Sequence, residues 1–143
     1  MLNITSSSLL AIHLAILIGS QTEKIWKLPE LSEWLQKPSN TLSKILQQLV
    51  RQDFLASVKG PSGGFKLLRP ASSIRLIEIL EAMQGPLKTC SCMLDRKKCL
   101  FDVCMFRDLT QQFPLEMKRY LEQTNLEQAI QKQFSIKKHK EVA

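Results

Sequence analysis

The sequence predicts a mainly α-helical fold that carries one small β-hairpin and ends in a long helix. Three observations point there. Apolar residues recur at helical spacing in five separate stretches. A single glycine-tipped segment, VKGPSGGFKLLRP, reads as a hairpin. The four cysteines, Cys90, Cys92, Cys99 and Cys104, fall within 15 residues, in the aperiodic stretch TCSCMLDRKKCLFDVC.

With 143 residues, 44% of them hydrophobic, the chain is long enough for one domain with its own core. The formal net charge of +7 favours an anionic partner, nucleic acid or a membrane surface, without choosing between them. The apolar run Leu9 to Ile18, interrupted by His13, is too short to span a bilayer. No basic residue precedes it, so it does not match a signal peptide. A cytoplasmic chain without a membrane partner is expected. Cysteines close in sequence are there more often metal ligands or redox-active thiols than structural disulfides. Four ordinary buried or free thiols are the alternative.

A first helix is expected over Ile4 to Ile18, where Leu9, Ile12, Ile16 and Leu17 recur at helical spacing. Its apolar residues cover more than one stripe, so it should be largely buried. Ser6, Ser7 and Ser8 are candidate caps, and Gly19 to Lys24 reads as a turn. Pro29 suits the first turn of a second, short helix, where its missing N–H costs nothing. Leu31, Trp34 and Leu35 form one face, and Lys37-Pro38 ends it. Ser39 is expected to cap a third helix running to Arg51. Leu42, Ile45, Leu46, Leu49 and Val50 share one side of it, and Asn40, Thr41, Lys44, Gln47 and Gln48 the other. Two helices joined tightly, the second with an outer face of amides and hydroxyls, match a helix-turn-helix. A plain helical hairpin would show the same pattern.

The next segment separates the two. Strands are expected over Phe54 to Val58 and Phe65 to Leu68, around Gly60, Pro61, Ser62, Gly63 and Gly64. The glycines allow positive φ and close backbone approach. Lys59, Lys66 and Arg69 lie on or beside the hairpin. Such a wing can hold phosphates with lysine while backbone amides reach the sugar-phosphate chain.

Pro70 breaks the chain, and Ile74 to Met83 is a fourth helical stretch with Ile77, Leu80 and Met83 inward, stopped by Gly85 and Pro86. After the cysteines, Phe106 to Thr124 reads as a longer helix with a stripe of Leu109, Phe113, Met117, Tyr120 and Leu121. Pro114 should kink or break it. The stripe is expected to be a dimer seam, with packing inside the chain as the alternative. The organisation is then 1–85 for a winged helix-turn-helix DNA-binding domain, 86–105 for a cysteine-rich loop, 106–130 for a dimerisation helix, and 131–143 for a basic tail that frays.

Four stretches carry a family resemblance: LPELSEWLQKPSNTLSKILQQLVRQDFL, VKGPSGGFKLLRP, IRLIEILEAMQGP, and three spaced cysteines followed by a long helix. Over roughly residues 3 to 130 the chain resembles the winged helix-turn-helix regulators that include the iron–sulfur cluster assembly regulator and the nitric-oxide-sensing repressor. The resemblance implies an iron–sulfur cluster, 2Fe–2S or 4Fe–4S, held near a dimer interface by Cys92, Cys99 and Cys104. Cys90 lies outside that trio. The assembly regulator's fourth ligand is a histidine at the position of Arg107, and arginine has no lone pair to offer. Some relatives draw a ligand from the first helix of the other subunit, which makes His13 the candidate. A core histidine is the other reading of His13.

Thiolates are the preferred ligands of iron–sulfur clusters. The spacing, six residues then four between the three cysteines, is not the tight zinc-knuckle pattern. Zinc held by the four cysteines, or by three with His13, remains the rival.

The expected function is a homodimeric DNA-binding regulator whose grip on double-stranded DNA, at a roughly palindromic operator, depends on that cluster. Ser39, Asn40, Thr41, Ser43 and Lys44 would read bases or phosphates. Ser57, Lys59, Gly60, Gly63, Gly64, Lys66 and Arg69 would place the wing. No small-molecule substrate is expected. Two rivals differ in class. A cysteine-nucleophile enzyme lacks a partner base, because His13 lies in an apolar helix with no acid placed to orient it. A dimeric adaptor or structural zinc protein that has lost DNA binding would have no use for an intact basic wing. A cluster-free or zinc-binding winged-helix regulator with thiol-based sensing is the alternative that keeps it.

Overall fold

The computed structural model describes residues 2–88, 92 and 101–141, with 135–141 as backbone only. Cys90 and Cys99 lie outside the described residues. The first helix, α1 (Ser6–Gly19), is apolar nearly all round, and Ala11, Leu14, Ala15 and Ile18 are buried. A helix with no polar stripe must be enclosed, and α1 packs against four later elements. Its cap is Thr5 rather than the serines. Thr5 Oγ1 accepts the Ser8 N–H at 3.2 Å. Ser8 is buried instead, with its hydroxyl donating to Gln84 Oε1 at 2.7 Å.

The second helix, α2 (Leu28–Leu35), has Pro29 in its first turn, as expected. Glu30 closes its start by accepting the Lys27 N–H at 3.0 Å. That bond, and then the Lys24 ammonium, hold the Glu30 carboxyl below the usual carboxylate range. The helix ends at Leu35, two residues before Lys37, because Gln36 turns left-handed at φ 50°. The third helix, α3 (Ser39–Arg51), buries Leu42, Ile45, Leu46 and Leu49. Pro38, not Ser39, is its cap: the Pro38 carbonyl accepts from Thr41 and Leu42, and Ser39 is the first helical residue.

Strands β1 (Leu55–Val58) and β2 (Gly64–Leu67) pair antiparallel, with Ser57 opposite Phe65 and Ala56 opposite Lys66. Trp26, between α1 and α2, adds a short third rung. Its N–H donates to the Phe65 carbonyl at 2.9 Å and its carbonyl accepts the Phe65 N–H at 2.8 Å. The buried Trp26 ring thus ties the hairpin to the helices. Sequence patterning does not show this, because one bridging residue has no period.

After a 3-10 turn (Ala71–Ser73) comes α4 (Leu76–Gln84), with Leu76, Ile77, Ile79 and Leu80 buried. Asp108–Gln112 form a π-helical turn leading into α5 (Phe113–Gln123). Pro114 supplies the reason. It lacks an N–H, and its ring would strike the carbonyl four residues earlier. The ladder widens just ahead of it, with the Phe113 N–H bonding the Asp108 carbonyl five residues back.

The expected single helix over 106–130 is interrupted. Thr124 is extended, at φ −93° and ψ 121°, and α6 (Leu126–Glu141) starts afresh beyond it. Asn125 Oδ1 accepts the Gln128 N–H at 2.8 Å, and Gln128 Oε1 accepts the Asn125 N–H at 2.9 Å, a reciprocal cap. The break is pinned to the start of α4: Leu76 N–H donates to the Thr124 carbonyl and Leu126 N–H to the Ile74 carbonyl. From there α6 returns along α1, burying Leu126 and Ala129. Gly19 permits the approach, since a Cβ there would lie 2.8 Å from Ile130 Cδ1. Beyond 130 the backbone stays helical to Glu141, and residues 131–134 are exposed. Among the described residues, no helix is long and apolar enough to cross a membrane.

Leu126→Ala is expected to lower the unfolding free energy by about 2–5 kcal/mol in urea denaturation, the usual cost of a truncated core leucine. A loss of only ~0.5 kcal/mol, typical of a surface position, would mean that α6 does not close the core.

Candidate nucleic-acid interface and cysteine region

Burial of one side of α3 forces the other side outward. Ser39, Asn40, Thr41, Lys44, Gln47 and Arg51 are exposed, while Ser43 is half-buried and accepts a long bond, 3.4 Å, from Gln47 Nε2. The first-turn hydroxyls and amide sit at a helix N-terminus, where backbone N–H groups and the helix dipole favour anions. Gln48 departs from expectation. It is half-buried and turned toward α4, where Nε2 donates to the Ala82 carbonyl at 2.9 Å.

In the hairpin, Ser57, Lys59, Gly60 and Lys66 are exposed, and Gly63 and Gly64 half-buried. The register puts Ser57 and Lys66 on opposite faces of the ribbon. The turn is built on two contacts that need glycine. A Cβ on Gly63 would meet the Val58 carbonyl oxygen at 2.1 Å, and one on Gly64 the Trp26 carbonyl oxygen at 2.3 Å. Their role is thus first internal, letting the hairpin close on itself and on Trp26.

Arg69 is partly drawn into the protein. Its guanidinium lies 4.9 Å from the centre of the Phe54 ring and 3.7 Å from Glu78 Oε1 on α4. Its Nε is buried without a hydrogen-bond partner among the described residues. Glu78 also accepts the Arg75 N–H at 2.7 Å, and Arg75 donates onward to the Glu122 carbonyl at the end of α5 at 2.6 Å. The hairpin base is thereby tied through α4 to α5. A run of charges does not announce such a chain, and patterning missed Arg75 and Glu78 altogether.

The cysteine region is described at its edges. Cys92 and Cys104 are half-buried. The Cys104 carbonyl accepts the Arg107 N–H, just ahead of the π turn. Thiolates are the donors that iron–sulfur clusters and zinc take. Arg107 is exposed, and its Nε reaches Gln111 at 3.4 Å. Among the described residues no three His, Cys, Asp or Glu side chains converge on a metal site, and Cys99 is not among them. His13 is not a core histidine. It is exposed on α1, with Nδ1 2.7 Å from the Leu9 carbonyl. A carbonyl only accepts, so Nδ1 is the donor, and in the neutral ring the lone pair is then on Nε2. Around it lies a shallow cleft shared with Ile16, Tyr120, Lys132 and Gln133.

A helix-turn-helix followed directly by a basic, glycine-built hairpin is a winged helix-turn-helix. Comparison with known proteins agrees. Residues 4–132 match the model of the family described as Rrf2: Iron-dependent Transcriptional regulator. The chain belongs to the Rrf2 family. It is 28% identical over 91 residues to Protein aau3 of Rhizobium meliloti, covering 64% of this chain and 59% of that one. It is 46% identical over 43 residues to the HTH-type transcriptional regulator IscR of Cereibacter sphaeroides, covering 30% of this chain and 28% of that one. The matches thus span less than two thirds of either relative's length. Its fold is similar to that of CymR, the global cysteine regulator of B. subtilis, with a TM-score of 0.71 at 20% identity over 92% of this chain and 98% of that one. It is also similar to that of T. potens IscR, with a TM-score of 0.69 at 16% identity over 91% and 87%.

Gly63→Ala is expected to destabilise the fold by about 1–3 kcal/mol, the range of forced overpacking, measured as a shift in the thermal or urea midpoint without DNA. An unchanged midpoint would show that the turn does not need glycine there.

Proposed function

We propose that the chain is a homodimeric regulator whose operator binding is controlled by an iron–sulfur cluster that responds to redox state, nitric oxide or iron supply. The observation that carries the DNA part is the polar, exposed first turn of α3 beside the basic hairpin, on a chain of net charge +7. In this reading α3 enters the major groove with Asn40, Thr41, Ser43 and Lys44 near base edges and phosphates, and Ser39 at a phosphate. The wing enters a minor groove edge-on, which its two-faced register suits: Ser57 and Lys66 then face opposite walls, with Lys59 and Gly60 leading. Arg69 contributes by holding the hairpin on Phe54 and Glu78.

The dimer part rests on an apolar stripe that one chain leaves uncovered. Leu109 is 65% and Phe113 57% exposed, beside a cleft lined by Leu2, Ile4, Pro114 and Met117. Leu121, from the same stripe, is buried within the chain, so the seam lies on the first half of the helix. Two-fold pairing there would match a palindromic operator.

The cofactor part rests on thiol chemistry and on the family. Cys92, Cys99 and Cys104 would hold the cluster, and Nε2 of His13 of the partner subunit is the candidate fourth donor. When bound, a cluster supplies iron–thiolate bonds that oxidants, nitric oxide or iron loss can break. The chain's part is to present the thiols on a segment that joins α4 to α5.

Lys59→Ala and Lys66→Ala are each expected to weaken binding to every duplex and to reduce the slope of log affinity against log salt by about 0.9 per lost phosphate contact. Asn40→Ala is expected to reduce discrimination between operator and random DNA. Fluorescence anisotropy across a salt series reads both. Unchanged affinity in all three variants would sink the DNA reading and favour an adaptor, which a stable partner-protein complex would then support.

Anaerobically purified protein is expected to contain iron and acid-labile sulfide, to lose both in Cys92→Ala, and to change its absorption and Mössbauer spectra in His13→Ala. Stoichiometric zinc without sulfide would replace the cluster by a zinc site. An unaltered spectrum in His13→Ala would remove His13 from the ligand set.

A further inference from the structure

Three parts of the molecule meet at the last turn of α4. Ala82 lies four residues before Pro86. The N–H that would serve its carbonyl in a continuing helix is therefore missing by covalent structure. Gln48 Nε2, from α3, donates to that carbonyl at 2.9 Å. Gln84 ties the same turn to the N-terminal segment: its Oε1 accepts the Thr5 N–H at 2.9 Å and the Ser8 hydroxyl at 2.7 Å. Glu81 holds the exit, with Oε1 accepting the Leu87 N–H at 3.0 Å. Between them Gly85, at φ 82°, turns the chain out of the helix. The cysteine segment begins a few residues further on.

We infer that Gln48 is a positioning residue that couples the root of the cysteine segment to the DNA-reading helix. The inference rests on the reading of α3 as the DNA reader and of the cysteine segment as the sensor. Gln48 does not reach DNA itself, because it is half-buried and turned to α4. Nor does it supply the packing of α3, which Leu42, Ile45, Leu46 and Leu49 provide. What it adds is direction. Apolar contacts hold α3 against the core but permit small sliding, whereas one hydrogen bond to one carbonyl selects which turn of α4 the helix is registered to. That carbonyl belongs to the turn which Glu81 and Gln84 connect to the loop exit and to the cap of α1. A change in the path of the loop that tilts this turn moves the acceptor, and α3 follows through Gln48.

The test uses the full chain in two thiol states, metal-free with free thiols and metal-free after iodoacetamide alkylation, together with anaerobically reconstituted protein whose iron and sulfide are assayed first. Amide hydrogen exchange over Ile45–Arg51 is the readout, with thermal unfolding alongside. In the wild type, a change of thiol or cluster state is expected to alter exchange in α3 by about 5-fold or more, the lower end of ordinary coupling between sites. Gln48→Met keeps the length of the side chain but no donor. Gln48→Glu keeps its shape but only accepts. In both, the response is expected to fall below about 2-fold while the unfolding midpoint stays near that of the wild type. Gln47→Met, on the exposed side, is expected to respond as the wild type does. An α3 that ignores thiol state in the wild type, or a full response in Gln48→Met or Gln48→Glu, would overturn the inference. Absence of iron and sulfide would count against the cluster alone, since the alkylation arm still decides the coupling.

Discussion

The burial of α1 is the constraint on which the rest of the structure depends. A helix with Ala11, Leu14, Ala15 and Ile18 fully enclosed, and Ile12 and Leu17 nearly so, gives water only the narrow strip that carries Leu9 and His13. One neighbour cannot cover it. Helix α3, the hairpin strand β2, and helices α4 and α6 each take a side. The helix-turn-helix, the hairpin and the C-terminal helix are therefore mounted on one rod. The return of the chain at Thr124 serves the same need, because it brings Leu126 and Ile130 of α6 beside Leu67 of the hairpin at the Gly19 end of α1.

Much of this was legible in the sequence, and for physical reasons. Pro29, Gly85 and Pro86 mark helix ends because each alters the backbone whatever surrounds it. Leu42, Ile45, Leu46 and Leu49 mark an inner face because burial acts on every turn of a helix. What stayed hidden depends on contacts distant in sequence. Thr124 is an ordinary helix-tolerant residue, and the extended geometry there is set by main-chain bonds from Leu76 to the Thr124 carbonyl and from Leu126 to the Ile74 carbonyl, some fifty residues earlier. Trp26 looks like a loop residue, yet its backbone extends the hairpin and its ring is buried. The caps slipped by one position, Thr5 for Ser6 and Pro38 for Ser39, because serine and threonine crowd both starts and local sequence does not say which of them the core needs.

The candidate site divides the same way. Residue types and spacing marked the outer face of α3, the glycine turn and the cysteines. They did not separate residues that face solvent from those that lean on a neighbour. Gln48 and Gln47 are adjacent amides on a helix with a polar side, but a rotation of 100° puts one against α4 and the other in water. Arg69 reads as a phosphate ligand beside a wing, and it spends much of its guanidinium on Phe54 and Glu78. At 3.7 Å and with both partners partly exposed, the ion pair itself contributes little. The larger effect is that Arg69 covers an aromatic ring at the base of the hairpin. His13 differs in the opposite sense. Flanked by Ile12 and Leu14 it looks like a core residue, yet it occupies the narrow exposed strip of α1, where its bond to the Leu9 carbonyl fixes the tautomer.

The two prolines that bracket the cysteine segment bring these threads together. Each removes an N–H from a helix and leaves a carbonyl to be served by something else. At the exit, Pro114 is accommodated within its own helix. The turn widens to π geometry, with the Phe113 N–H on the Asp108 carbonyl. At the entry, Pro86 is accommodated across the fold, since the Ala82 carbonyl takes its donor from α3. The two ends are thus held differently: the exit turn is self-contained, and the entry turn shares its hydrogen bonds with α3 and the N-terminal cap. At the entry, Gln48 brings the bond from α3, Gln84 accepts from Thr5 and Ser8 at the start of α1, and Glu81 accepts from Leu87 just beyond the helix. The last turn of α4 is therefore the place where α1, α3 and the start of the cysteine segment are joined by hydrogen bonds.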